Sequence, residues 1–231
     1  MKIRLYAVVF FVFAGVAAFA DLTLEERGAS ASYEVWDLPE TGLVQIVVPK
    51  EVGEVGDLQV SIDGVPACAQ EVLGAGACIW KPTAEQRTRS RTAALTVTLT
   101  RRPASPVLPR RVDHLVISNA AFQLTFDAKK KGGLPSRLVW ASGKVVDNLD
   151  WGDRVFAEGV PGGHLAACKT ACVSDFGPGP LFRQVRTEGV FSHGKSVCAG
   201  EPRAVYDWLF FEDAPEWVPL HMSFHSKGGA T

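Results

Sequence analysis

Between Val112 and Trp140 the chain reads VDHLVISNAAFQLTFDAKKKGGLPSRLVW. Phe122, Leu124 and Phe126 alternate there with Gln123 and Thr125. That is the period of a pleated strand with one apolar and one wet face. A helix, turning roughly 100° per residue, would spread the three side chains around its axis instead of gathering them. Asp127 to Gly133 then supplies charge and two glycines, the composition of a turn, and Leu134, Leu138 and Trp140 resume the apolar content. The stretch therefore predicts two strands joined by a Lys/Gly loop. A sheet with one apolar face needs a second layer to bury it.

The same period recurs upstream. Val44, Ile46 and Val48 alternate with Gln45 and Val47, and Leu58, Val60 and Ile62 with Gln59, Ser61 and Asp63. Asp63-Gly64 follows as a hairpin-type turn. Leu95, Val97 and Leu99 alternate with Thr96, Thr98 and Thr100, a strand with a threonine-lined outer face. Turn residues between these runs at short spacing predict a small β-sandwich over residues 21–105. One short helix is expected around Thr83–Arg87. Residues 112–231 are expected to form the opening of a second, larger sandwich. Leu181–Glu188 reads there as a strand, Tyr206/Trp208/Phe210 and Val205/Leu209/Phe211 as one covered on both faces, and Val218 to Phe224 as one with a single apolar face. Asp147–Phe156 and Gly159–Cys168 read as loops. The fold class is all-β.

Residues 1–20 fit a secretory leader. Lys2 and Arg4 form a basic start, Leu5 to Ala18 an apolar run, and Ala18-Phe19-Ala20 a small-x-small cleavage pattern. That apolar run is shorter than the about 20 residues a membrane-spanning helix needs. The protein is accordingly expected to be secreted, periplasmic or extracellular, with no membrane partner. A formal net charge of -1 gives the whole molecule no bias toward nucleic acid. In an oxidising compartment the five cysteines, Cys68, Cys78, Cys168, Cys172 and Cys198, are disulfide candidates. Cys68 and Cys78 flank a glycine-containing turn, in position to bridge neighbouring strands. Among the other three, one is left over if a second bridge forms.

From Arg87 to Arg111 the chain has seven arginines and no acidic residue. Two readings stand: solvated charge on edge strands and a linker, or a basic rim for an acidic glycan, whose carboxylates match the planar guanidinium fork. Pro103, Pro106 and Pro109 restrict the backbone here, which places a Pro/Arg linker at residues 106–111. The chain ends at HSKGGAT without a terminal element and is expected to be the front part of something longer.

The ordered strings ISNAAFQLTFDAKKKGGLPSRLVW, GPLFRQVRTEG and YDWLFFEDAPEWVPLHMSF resemble the opening of a galactose-mutarotase-like β-supersandwich. Such domains occur in secreted polysaccharide lyases and glycoside hydrolases. GLVQIVVPKEVGEVGDLQVSIDGVPACAQEV resembles the small β-sandwich that often precedes it, as in exo-rhamnogalacturonan-lyase-like proteins. The resemblance implies the front, non-catalytic part of a carbohydrate-active enzyme, contacting an extracellular polysaccharide, with the catalytic domain absent from this chain. Two alternatives are a stand-alone carbohydrate-binding or adhesion module and an aldose-epimerase-type enzyme.

Substrate-contact candidates are Trp151, Asp153 and Arg154 in one loop, and His221 and His225 on one strand. An aromatic face stacks on sugar rings and charged groups bond hydroxyls, whereas a core plug is the stronger reading for Trp151 taken alone, since tryptophan is mostly buried. The two histidines, roughly 13 Å apart along a strand, are too distant to share a metal. Asp147, Asp150 and Asp153 recur every third residue and leave calcium as an option, although the EF-hand spacing is not met. No metal site and no other cofactor is expected. No nucleophile elbow, phosphate loop or zinc-protease motif occurs. A glycosidase needs two facing carboxylates, and Glu188, Asp207, Glu212, Asp213 and Glu216 are available without anything pairing them. No catalytic residue is assigned.

Overall fold

The computed structural model describes residues 30–40, 42–53, 56–105, 107–157, 160–212 and 220–225. The expected leader lies outside these, as do Asp213, Glu216, Trp217 and Val218. The fold is all-β: among the described residues strands make up 54%, in five antiparallel sheets with one short helix. It divides into two compact units between Val107 and Leu108, with Gly179–Leu181 grouped in the first.

The first unit stacks two sheets. One has the order β1-β7-β3-β4, from β1 (Ser30–Val35), β3 (Asp57–Ile62), β4 (Val65–Pro66) and β7 (Leu95–Arg102). The other has the order β2-β6-β5, from β2 (Val44–Val47), β5 (Ala69–Val72) and β6 (Ala77–Trp80). The pleat sorts side chains as the alternation predicts. Leu95, Val97 and Leu99 are fully buried, and with Val60 and Ile62 they meet Val44, Ile46 and Trp80 in one core. Asp63 and Gly64 both take positive φ, 51° and 80°, as a two-residue hairpin turn requires. The helix, α1 (Ala84–Ser90), starts at a capping box. Thr83 Oγ1 accepts from the Gln86 amide, and the Gln86 side chain accepts from the Thr83 amide.

The second unit contains a four-stranded sheet of order β12-β11-β10-β9, from β9 (His114–Ser118), β10 (Phe122–Asp127), β11 (Pro135–Trp140) and β12 (Val145–Asp147). Its five-stranded sheet has the order β20-β19-β16-β15-β8, from β8 (Arg110–Val112), β15 (Cys172–Pro178), β16 (Phe182–Val190), β19 (Arg203–Phe211) and β20 (Leu220–His225). A small sheet runs β13 (Arg154–Ala157), β14 (Val160–His164), β17 (Ser192–His193) and β18 (Ser196–Val197).

Leu115, Ile117, Phe122, Leu124 and Phe126 share one core with Val173, Val185, Tyr206, Trp208 and Phe210 of the five-stranded sheet. Phe126 is fully buried and meets Trp208 and Phe210 edge-to-face, at centroid distances of 5.7 and 6.2 Å. The loop before β11 closes tightly. A side chain at Gly132, whose φ is 66°, would put its Cβ 2.1 Å from the Leu165 carbonyl oxygen.

Three expectations are corrected. Arg110 and Arg111 belong to edge strand β8, paired with Asp175 and Ser174, not to a linker. Much of the two loop-like stretches is strand: Val155 pairs with Gly163 in a β13–β14 hairpin. Glycine and proline in VPGGH hide that hairpin, because they carry no alternating side chains for a period to be read from. Trp140, counted with the apolar content that resumes after the loop, is not core: it ends β11 at 39% exposure, edge-on to Phe122.

Phe126→Ala is expected to cost about 3–5 kcal/mol, because it empties the contact between two sheets. Val47→Thr, on an exposed strand position, should stay within about 0.5 kcal/mol. Urea unfolding of the two variants reads the difference.

Candidate functional site: the polar face of the five-stranded sheet

Residues opposite one another in an antiparallel ladder share a face. In the second unit one row therefore crosses the whole sheet: His221 opposite Asp207, Asp207 opposite Arg186, Arg186 opposite Ser174, and Ser174 opposite Arg111. Beside it lie Ser223, Val205, Glu188 and Cys172, and beyond them His225, Arg203 and Val190. The parity that buries Tyr206, Trp208 and Val185 on the core side thus turns these hydrogen-bonding side chains to the other side, where Phe182, Leu209 and Phe211 of the same parity are also buried.

Asp207 is 1% exposed. Its carboxylate accepts from Gln184 Nε2 at 2.7 Å and from Arg186 Nε and Nη2 at 2.8 and 3.0 Å. A buried carboxylate needs such partners, because an uncompensated charge there is strongly destabilising. The Arg186 guanidinium also lies over the Phe176 ring, 5.3 Å from its centroid. Phe176 reaches this face through a β-bulge, where the register shifts between Asp175 and Gly177 and Gly177 takes a φ of 79°. Toward solvent, Arg203 Nη1 donates to Glu188 Oε1 at 2.5 Å.

Asp207, Gln184 and Ser174 are buried on this face, while its margin of Arg203, Glu188 and His225 reaches solvent with donors and acceptors of the kind that bond sugar hydroxyls. Among the described residues its carboxylates do not make a glycosidase pair. Glu188 and Asp207 are diagonal neighbours, at about 7–8 Å by sheet geometry. Asp207 is buried and spent on Gln184 and Arg186, so it positions Arg186 rather than moving a proton.

The substrate-contact candidates fall on opposite sides of one ladder. His225 is exposed opposite Arg203, and His221 stands opposite Asp207 in the strand register. Trp151 and Asp153 reach the core side instead. Trp151 packs edge-to-face on Trp208 at 5.4 Å and donates Nε1–H to the Pro135 carbonyl at 2.7 Å. Asp153 accepts from the Tyr206 hydroxyl at 2.5 Å. Burial, joined by that carboxylate, drives the Tyr206 phenol well above its ordinary value. Of the two roles weighed for Trp151, the core plug is the one this packing describes. Arg154 is exposed at the start of β13 and pairs with His164.

The three aspartates considered for calcium have three different partners. Asp147 pairs with Arg137, Asp150 with Lys131, and Asp153 with Tyr206. Among the described residues no group of three His, Cys, Asp or Glu side chains is placed to hold a metal. The arginine seam is largely committed within the fold. Arg87 donates to the Pro39 and Gly42 carbonyls, Arg89 pairs with Asp63, and Arg91 with Glu40. Arg101 holds Glu71 with both arms of its fork.

All five cysteines are free thiols. The expected bridge between Cys68 and Cys78 fails on register. Cys78 stands opposite Glu71, while the Cys68 carbonyl receives the Lys81 amide. The two are thus offset by about 10 Å along the ladder, beyond disulfide reach. Cys168 Sγ accepts from the Val190 amide, Cys172 lies opposite Glu188, and Cys198 Sγ fills the space beside Gly163. No family model, curated protein or solved structure matches the chain.

Two outcomes are expected. Arg186→Ala, which strips the main partner from buried Asp207, should cost about 3–5 kcal/mol, whereas Arg91→Ala, at an exposed pair, should cost about 0–1 kcal/mol in the same thermal unfolding series. Burial, with Glu71 nearby, pushes the Cys78 thiol up to about 12, so it stays protonated at pH 8. A thiol reagent at that pH should therefore label exposed Cys68 first and reach Cys78 only on unfolding, as peptide mapping will show.

Proposed function

We propose that the chain is the front, non-catalytic β-sandwich part of a secreted carbohydrate-active enzyme of the polysaccharide-lyase or glycoside-hydrolase kind. Its five-stranded sheet contacts the glycan through the polar face. The supporting observation is the ladder row in which Asp207, Arg186, Ser174 and Arg111 succeed one another across the strands. A sandwich needs only one apolar face per sheet for its core. Here the second face carries forked donors and acceptors, braced from below by a buried carboxylate and an aromatic ring.

The likeness of the strand-and-turn strings to the opening of a galactose-mutarotase-like supersandwich supports the same reading. So does the locking of Asp207, which leaves contact rather than proton transfer as the work of this face. Sugar hydroxyls meet such a face through paired donor and acceptor bonds, and Arg203, Glu188 and His225 form its accessible margin.

A glycan array with neutral and uronate polymers tests the reading. Arg203→Ala should weaken retention of the bound glycan about tenfold, the loss of one charge-assisted contact. A chain that retains no glycan, or an Arg203→Ala variant that binds as well as the parent, would refute it.

A further inference from the structure

We propose that Arg110 and Arg183, drawn together on the buried carboxylate of Asp175, form a binding site for an oxyanion of unit charge. A sugar carboxylate and a sulfate ester both present that chemistry. The three residues lie in the second unit on three successive strands, edge strand β8, β15 and β16. They sit at the end of the row that carries Trp208 and Val185 and belong to neither the polar face nor the core.

Asp175 is saturated. Its Oδ1 accepts from the Gly177 amide at 3.0 Å and Arg183 Nε at 3.0 Å. Its Oδ2 accepts from Arg183 Nη2 at 2.6 Å and Arg110 Nη2 at 3.1 Å. Four donors on two oxygens use all the acceptor positions a carboxylate has. One guanidinium, Arg183 with its side-on fork, already neutralises the buried charge. The second is surplus to that need, so two cations on one anion leave the cluster one positive charge in excess.

The geometry keeps that excess usable. Side-chain exposure rises from 4% at Asp175 through 34% at Arg183 to 69% at Arg110. The anchoring carboxylate is therefore hidden while both cations reach solvent. Each guanidinium is fixed by Nη2, and Arg183 also by Nε. Among the described residues no partner takes Nη1 of either group or Nε of Arg110. An incoming oxyanion thus meets donors on two guanidinium groups that are already ordered, which lowers the entropy lost on binding. Ladder parity sets Arg111 and Arg186 on the opposite face of the sheet, together with Asp207. Asp175 is the one carboxylate in the described contacts of this cluster.

The test is a titration of the uniformly nitrogen-15-labelled full chain, followed at the arginine Nε–H resonances at constant ionic strength. Probes are sodium galacturonate, sodium methyl sulfate, sodium chloride and neutral galactose. Saturable shifts at Arg110 and Arg183 with one or both oxyanions, absent with chloride, are expected, and comparing the two oxyanions tells carboxylate from sulfate. Arg110→Gln should weaken that binding about tenfold, while Arg102→Gln should leave it unchanged. Because Arg183 and Gly177 still satisfy Asp175 in the Arg110→Gln variant, its core amide resonances should keep their positions. Shifts of the same size with chloride as with the oxyanions, or unchanged affinity in Arg110→Gln, overturn the site. The inference stands apart from the glycan-contact reading. A response to galactose without one to oxyanions would leave that reading intact and remove this one.

Discussion

The two-residue period of the pleat governs both what holds the second unit together and what it shows to solvent. Phe126 can meet Trp208 and Phe210 only because every second residue of β10 faces the same way, and the same holds for β19 in return. Once Tyr206 and Trp208 are committed to that core, Asp207 has no choice of side. It must go to the far face, where it is costly unless paired. Gln184 and Arg186 lie on the neighbouring strand with the matching parity and supply that pairing. The polar network and the apolar core are thus two consequences of one register.

What the sequence discloses follows from this. Local periodicity is written in consecutive residues, so Phe122, Leu124 and Phe126, the Leu95–Leu99 strand and the Asp63-Gly64 turn were legible as they stand. The covered-on-both-faces reading of β19 was legible too, since Ala204 and Tyr206 to Phe211 are all buried. Register between strands is a different kind of information. That Asp207 faces Arg186, or that Arg110 faces Asp175 across 65 positions, depends on how strands align. No single segment encodes that alignment.

The misread disulfide and the choices the sequence left open share that origin. Cys68 and Cys78 flank a turn, but β5 and β6 pair so that Glu71 takes the place opposite Cys78. Trp151 has the exposed-loop neighbours of a sugar platform, yet Pro135 and Trp208 receive it from far along the chain. The arginines after Arg87 have no acidic neighbours in sequence, but Glu40, Asp63, Glu71 and Asp175 reach them in space. A charge run in one dimension need not remain one in three.

The bulge at Phe176 has a consequence for how this sheet tolerates change in length. The residues before it on β15 keep step with β16 through Asp175 and Val185, and those after it resume at Gly177 and Gln184. The supernumerary residue works as a phase shifter between two half-strands. Removing it would not merely shorten a loop. The Pro178 end would be reindexed against β16, withdrawing the ring beneath Arg186 and pulling the Gly177 amide off Asp175, so a one-residue deletion would unseat two charged clusters on opposite faces together.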